Sequence, residues 1–196
     1  MGKRERESDK KKQVIVSVAL SLLMILSVFG VMIGSFGNNE MRYGKFKFEV
    51  QNNQYVTKIN NQEMAFYFLP IQTDYINLSS SVTNKLKESY MIMTTFDPSD
   101  ALNIQIMEVV RFDLAQTLGK VVVPGVLNQS ADYAEVPIVT CANATLQTPV
   151  IVLTMSDNTS IEEVDNCIYF KARGTEFLRL RDRLLYSYYG VIQDAQ

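Results

Sequence analysis

Residues 14–36 (VIVSVALSLLMILSVFGVMIGSF) form a run of 23 positions without a single charge. No other feature constrains this chain as strongly. As a helix rising about 1.5 Å per residue, the run is roughly 34 Å long, enough to cross a hydrocarbon core of about 30 Å. A core helix of a water-soluble domain seldom stays uncharged on every face for six turns. A cleaved signal peptide has a shorter apolar region, about 7–15 residues, ending at small residues of A-x-A type. Here the run is longer and passes into SFGNNEM. The expectation is an uncleaved transmembrane anchor. Within it Gly30-x-x-x-Gly34 offers a close-packing face for another helix.

The flanks predict the orientation. Lys3, Arg4, Arg6, Lys10, Lys11 and Lys12 precede the run, whereas only Arg42, Lys45 and Lys47 follow it closely. The excess of positive charge places the N-terminus in the cytoplasm. The expected organisation is a basic cytoplasmic tail at 1–13, a transmembrane helix at 14–36, a linker at 37–43 and an extracytoplasmic domain at 44–192. Residues 37–196 hold 13 Lys+Arg against 18 Asp+Glu, so the part expected outside the cell membrane carries −5.

Two patterns agree with export. Cys141 and Cys167, the only cysteines, both lie beyond the anchor. An exported compartment favours a disulfide between them, closing a loop of about 26 residues, over two buried free thiols. Four N-x-Ser/Thr sequons, at Asn77, Asn128, Asn143 and Asn158, also lie in the outer part.

The outer domain reads as α+β or α/β, a two-layer domain with one mixed sheet and about three helices. GKFKFEV (44–50), YVTKI (55–59) and EMAFYFLP (63–70) form a meander separated by Asn-rich turns. The first strand is expected near an edge and the third, apolar on both faces, at the centre. A short helix capped by Ser79 or Ser80 follows, then a buried strand at 90–96. Asp97-Pro98-Ser99-Asp100 has the chemistry of a helix start, opening a helix to Leu118. VVVPGV, EVPIVTCAN, PVIVLTM and CIYFKA read as strands. A closing helix runs from Thr175 to Tyr189, with Phe177, Leu180, Leu184 and Tyr188 on one face and Gly190 beyond its end.

The chain has no His. It therefore supplies no Ser-His-Asp triad, no Cys-His pair, no His metal ligand and no imidazole base. Phosphate-loop, dinucleotide, nucleophile-elbow and C-x-x-C motifs are missing too. No catalytic residue, cofactor or metal is assigned. Asp97 and Asp100 read as a helix start, Glu162, Glu163 and Asp165 as a solvated turn, and Glu108, Arg111 and Asp113 as an exposed helical stripe. Lys171, Arg173, Arg179, Arg181 and Arg183 are the candidate contact for an acidic partner or anionic lipid. Nucleic acid is not an expected partner.

The segments NNQEMAFYFLP, VRFDLAQTL, VTCANAT, DNCIYFKA and FLRLRDRLLY resemble uncharacterised single-span envelope proteins of archaea, over most of residues 14–186. The resemblance implies an anchor and a Cys141–Cys167 pair, and it carries no activity or site residue. The expected function is a membrane-anchored extracytoplasmic interaction module or accessory subunit of an envelope complex, non-catalytic, with another envelope protein as partner. The alternatives are an anchored carboxylate-based hydrolase of the envelope, which needs two facing acids, and a small subunit recruited through Gly30 and Gly34.

Overall fold

Paired asparagines organise the first half of the outer domain. Asn52-Asn53 and Asn60-Asn61 all have positive φ, between 51° and 65°. Two-residue hairpin loops of the I′ type require this backbone at both positions, and Asn tolerates it better than most residues. The two loops join β2 (Phe46–Gln51), β3 (Gln54–Ile59) and β4 (Gln62–Phe66), with β1 (Met41–Tyr43) paired outside β2. The result is an antiparallel sheet of order β1-β2-β3-β4. The computed structural model describes residues 16–27, 41–100 and 102–193.

The rest of the domain builds a second sheet. After α2 (Ser80–Glu88) come β5 (Met91–Phe96), α3 (Ile104–Thr117) and β6 (Val121–Pro124), followed by β7 (Val150–Met155), β8 (Ser160–Val164), β9 (Cys167–Ala172) and α4 (Glu176–Tyr188). The strand order is β6-β5-β7-β9-β8, with all neighbours parallel except β8 and β9. The class is α+β. The single sheet expected from sequence is two: β4 ends against α4 instead of continuing into β5, and α4 packs between the sheets.

Alternation along the strands of the second sheet gives it two buried faces. Ile151, Leu153, Ile168 and Phe170 point to the main core with the helices. Val150, Val152 and Cys167 point to a smaller cluster with Val139. That second face is covered by the segment 125–149, not by a helix. The Cys141–Cys167 disulfide, with Cα atoms 5.7 Å apart, pins this cover to β9. Gly125 is needed where the cover lies closest, because a Cβ there would come within 2.4 Å of Val139 Cγ2.

Several expectations are corrected. EVPIVTCAN is not a strand: it makes one isolated bridge, Val126 to Ile138, and a 3-10 turn at Cys141–Asn143. The linker ends earlier than residue 43, since Met41–Tyr43 is β1. The third strand of the meander is an edge, not the centre. The Asp97 helix start is a turn, in which Asp97 Oδ1 accepts from the Ser99 N–H at 2.9 Å. The helix itself begins at Ile104, where buried Asn103 accepts from the Gly174 N–H at 2.8 Å and ties the start of α3 to the turn before α4. Glu162 and Glu163 stand on β8, not in a turn, and pair with Lys171 and Lys85.

The helix over 16–27, α1, belongs to a separate unit, Met1–Glu40. Its apolar side chains are exposed on every side, from Val16 to Leu26. Among the described residues no helix is long and apolar enough to cross a membrane. The basic tail, the remainder of the expected span, and Gly30 and Gly34 lie outside the described residues.

Candidate functional site

The candidate site lies where α3 meets the free edge of β4. Met107, Val110, Leu114 and Leu118 hold α3 to the core. Opposite them, Leu102 just before the helix, then Gln105, Val109, Phe112 and Gln116, recur at spacings of three and four and face outward. None is charged. Leu102 is 92% exposed and Phe112 64%. The stripe expected to be exposed is elsewhere: Glu108 and Arg111 form an ion pair and are half-buried, with Arg111 donating to the Gly125 carbonyl at 3.1 Å and Tyr133 donating to Glu108 at 3.0 Å.

Beside this stripe runs a cleft of 650 Å³ lined by Gln54, Gln62, Glu63, Phe112, Asp113, Gln116 and Arg181. Its floor is a charged network. Arg181, 3% exposed, donates from Nη1 to Asp182 Oδ1 at 2.6 Å and to the Ala65 carbonyl at 3.0 Å. Asp182, fully buried, accepts at Oδ2 from the Tyr67 and Phe68 N–H groups at 2.7 and 2.8 Å. Together Arg181 and Asp182 satisfy the backbone groups at the end of β4 that lack a neighbouring strand. Arg181 Nε stands 3.6 Å from Asp113 Oδ2, and the Tyr67 hydroxyl donates to the same oxygen at 3.0 Å.

Burial raises the Asp182 carboxyl from 3.8 to about 6, against the opposing pull of Arg181 and the two N–H groups. It is still ionised at neutral pH. Burial and the neighbouring Asp113 carboxylate likewise raise the Tyr67 hydroxyl, which stays a donor.

The basic cluster expected on the surface is dispersed. Arg181 and Arg183 are buried, each 3% exposed, and Arg183 Nε donates to the Ile76 carbonyl at 2.8 Å. Their carbonyl and carboxylate partners lie inside the domain, so neither guanidinium is available to a lipid surface. Arg179 stacks 4.2 Å from the Phe68 ring and pairs with Glu176. Lys171 pairs with Glu162, and Arg173 with Asp157.

Asn77, Asn128, Asn143 and Asn158 are all exposed. Asn143 Oδ1 accepts from the Thr140 N–H, and Asn128 donates to Asp97 at 3.3 Å. Asp97 and Asp100 line a separate 490 Å³ cleft at the carboxyl ends of β5 and β7. Among the described residues, no three of Cys, Asp and Glu gather as a metal-holding group.

Sequence reasoning missed Tyr67, Phe112, Asp113 and the three glutamines as neighbours. The helical period carried part of the signal, because Val109 and Phe112 fall opposite Val110 and Leu114. No family model matches the chain, and neither a curated protein nor a solved structure matches it.

Proposed function

We propose that the protein is a membrane-anchored, non-catalytic interaction module whose outer domain docks on another component of the cell envelope. The observation that carries this reading is the uncharged outward stripe of α3. A solvated helix ordinarily turns charge to water, and an uncharged stripe that exposes Leu102, Val109 and Phe112 together marks a contact surface. Its residues contribute nothing to the core, so their character is not accounted for by folding.

The anchor and topology belong to the same reading. The described part of α1 is apolar and its large side chains are exposed, as those of a segment solvated by lipid are. The disulfide supports an oxidising compartment for the outer domain. The exposure of all four sequon asparagines supports their use as glycan acceptors in a host that glycosylates.

A photo-crosslinking residue in place of Val109, used in native membranes, tests the docking. The same envelope component is expected to crosslink repeatedly at Val109 and not at Lys58 on the β3–β4 hairpin. Equal yields at the two positions contradict the reading. For topology, an impermeant thiol reagent should label an Ala195→Cys variant of intact cells and leave Glu5→Cys unlabelled. Labelling at residue 5 reverses the orientation.

A further inference from the structure

We infer that the partner docks by adding an uncharged, extended segment of its chain to the free edge of β4, in the cleft beside α3. The inference rests on the docking reading and names the kind of segment that is docked. A two-residue loop joins β3 to β4, so Ile59 and Gln62 bond to each other and the pairing alternates from there. The odd-numbered residues of β4 therefore turn their backbone groups away from β3. On that side the Ala65 carbonyl and the Tyr67 N–H are met by Arg181 and Asp182. The Glu63 N–H, the Glu63 carbonyl and the Ala65 N–H share the same side and have no hydrogen-bond partner among the described residues. One residue of an incoming antiparallel strand can exchange both bonds with Glu63, and another can accept from Ala65.

The other sheet edges are blunted. β1 is three residues long, β6 ends in Pro124, and Glu163 of β8 is engaged by Lys85 and Ser81 of α2. β4 runs for five residues with neither Pro nor a basic residue. The 650 Å³ cleft lies along it, with Glu63 and Ala65 on one side and Phe112 and Gln116 on the other. The side chains on one face of an added strand turn toward α3, where the Phe112 ring is exposed. The edge of β4 is thereby continuous with the uncharged stripe of α3. An added strand stands roughly 10 Å from β3, which leaves Lys58 outside the contact.

Charge selects the character of the segment. The charged side chains lining the cleft are Glu63, Asp113 and Arg181, and each is already paired. Lys58 stands 3.7 Å from Glu63, Arg181 Nε stands 3.6 Å from Asp113, and Arg181 Nη1 donates to Asp182 at 2.6 Å. A charged residue on the incoming segment would lose water without an opposite charge to meet. Recognition therefore falls on main-chain bonds and neutral side chains.

The test uses the full chain in lipid nanodiscs and a capped octapeptide of alternating Thr and Val as the probe. The comparisons are the same peptide N-methylated at alternate amides in either register, and a capped octapeptide of alternating Thr and Lys. The Thr-Val peptide is expected to bind below about 1 mM, shifting the amide resonances of Glu63 and Ala65 and slowing their hydrogen exchange. N-methylation in one register should abolish binding, and the Thr-Lys peptide should bind at least about ten-fold more weakly. Ala65→Pro removes an N–H that points away from β3, so the β3–β4 ladder is kept. It should lose the peptide, whereas Ala65→Thr, which retains the N–H, should bind it. No binding up to about 10 mM, full affinity of the N-methylated peptide in both registers, preference for the Thr-Lys peptide, or full affinity in Ala65→Pro each overturns the inference. Slowed exchange at Glu63 and Ala65 that appears without peptide and grows with protein concentration assigns the edge to a second copy, and also overturns it. If no peptide binds while the Val109 crosslink persists, the strand inference falls and the docking reading stands. If the peptide binds at β4 while Val109 crosslinks to nothing, the strand inference stands and the docking reading falls.

Discussion

Helices α3 and α4 invert what their sequences suggest. α4 reads FLRLRDRLLY, with a charge at almost every second position, and yet ten of its residues are buried, Arg181, Asp182 and Arg183 among them. α3 carries fewer charges and shows water Val109 and Phe112. Charge on α4 completes the fold: it supplies donors and acceptors to the end of β4 and to the loop carbonyl of Ile76. Apolar surface on α3 is left over after folding, and is available for a partner. Hydropathy alone assigns the two helices the opposite roles.

The largest effect that tests this contrast is at Asp182. Asp182→Ala leaves the buried Arg181 with Asp113, at 3.6 Å, as its one remaining carboxylate among the described residues and strands the Tyr67 and Phe68 N–H groups. A loss of about 3–5 kcal/mol in urea unfolding is expected. The pair Arg181→Met with Asp182→Leu should lose less than the sum of the separate changes, because it removes both charges together. Strict additivity would show that the two side chains do not act as one unit.

Next in size is the disulfide that holds the cover segment to β9. Replacing Cys141 and Cys167 by Ser should cost about 3.5 kcal/mol on chain-entropy grounds. Protection of the β7 and β9 amides from hydrogen exchange should drop with it, while the β1–β4 meander changes less. A uniform loss across both sheets would mean that the cover is not a local brace.

A third effect is pH-dependent. An unfolded Asp182 releases its proton near 3.8, and the folded one near 6. Between those values the folded chain keeps a proton that the unfolded chain has lost. The contribution of Asp182 is therefore full at low pH and falls as pH rises to about 6, by on the order of 3 kcal/mol. Measured from pH 4 to pH 7, the stability of the wild type relative to Asp182→Asn should decline and then level. A difference that grows with pH contradicts a carboxyl raised by burial.

The smallest expected effect on folding is the most telling for function. Val109→Ser with Phe112→Ser should shift stability by no more than about 0.5 kcal/mol, since neither side chain is part of the core. A loss of several kcal/mol would mean that α3 has no spare face.

Much of the fold was legible locally. The Asn-Asn loops, the Ser79 cap with its bond to the Ser81 N–H, and the end of α4 follow from single residues. Gly190 has a φ of 71°, and Val191 and Gly190 return to the carbonyls of Tyr186 and Ser187. What remained hidden depends on partners distant in sequence. Nothing near Asp182 indicates that Tyr67 and Phe68, more than a hundred residues earlier, present their N–H groups to it. Asp97-Pro98 has the composition of a cap, but its hydrogen bond closes on Ser99 within a turn. EVPIVTCAN has strand composition, but covers a sheet face instead of joining its edge. In the candidate site, the period of α3 was readable, whereas the glutamines of β3 and β4 meet it only through the tertiary fold.

The most direct test of the central claim pairs two readings on one protein. The Val109→Ser, Phe112→Ser variant, with the photo-crosslinker moved to Gln105 on the same stripe, is compared with the otherwise unchanged chain in native membranes. Unfolding is followed in parallel. The account predicts unchanged stability and loss of the specific crosslinked product. An undiminished product from a stably folded variant would contradict it, and would remove α3 as the docking surface.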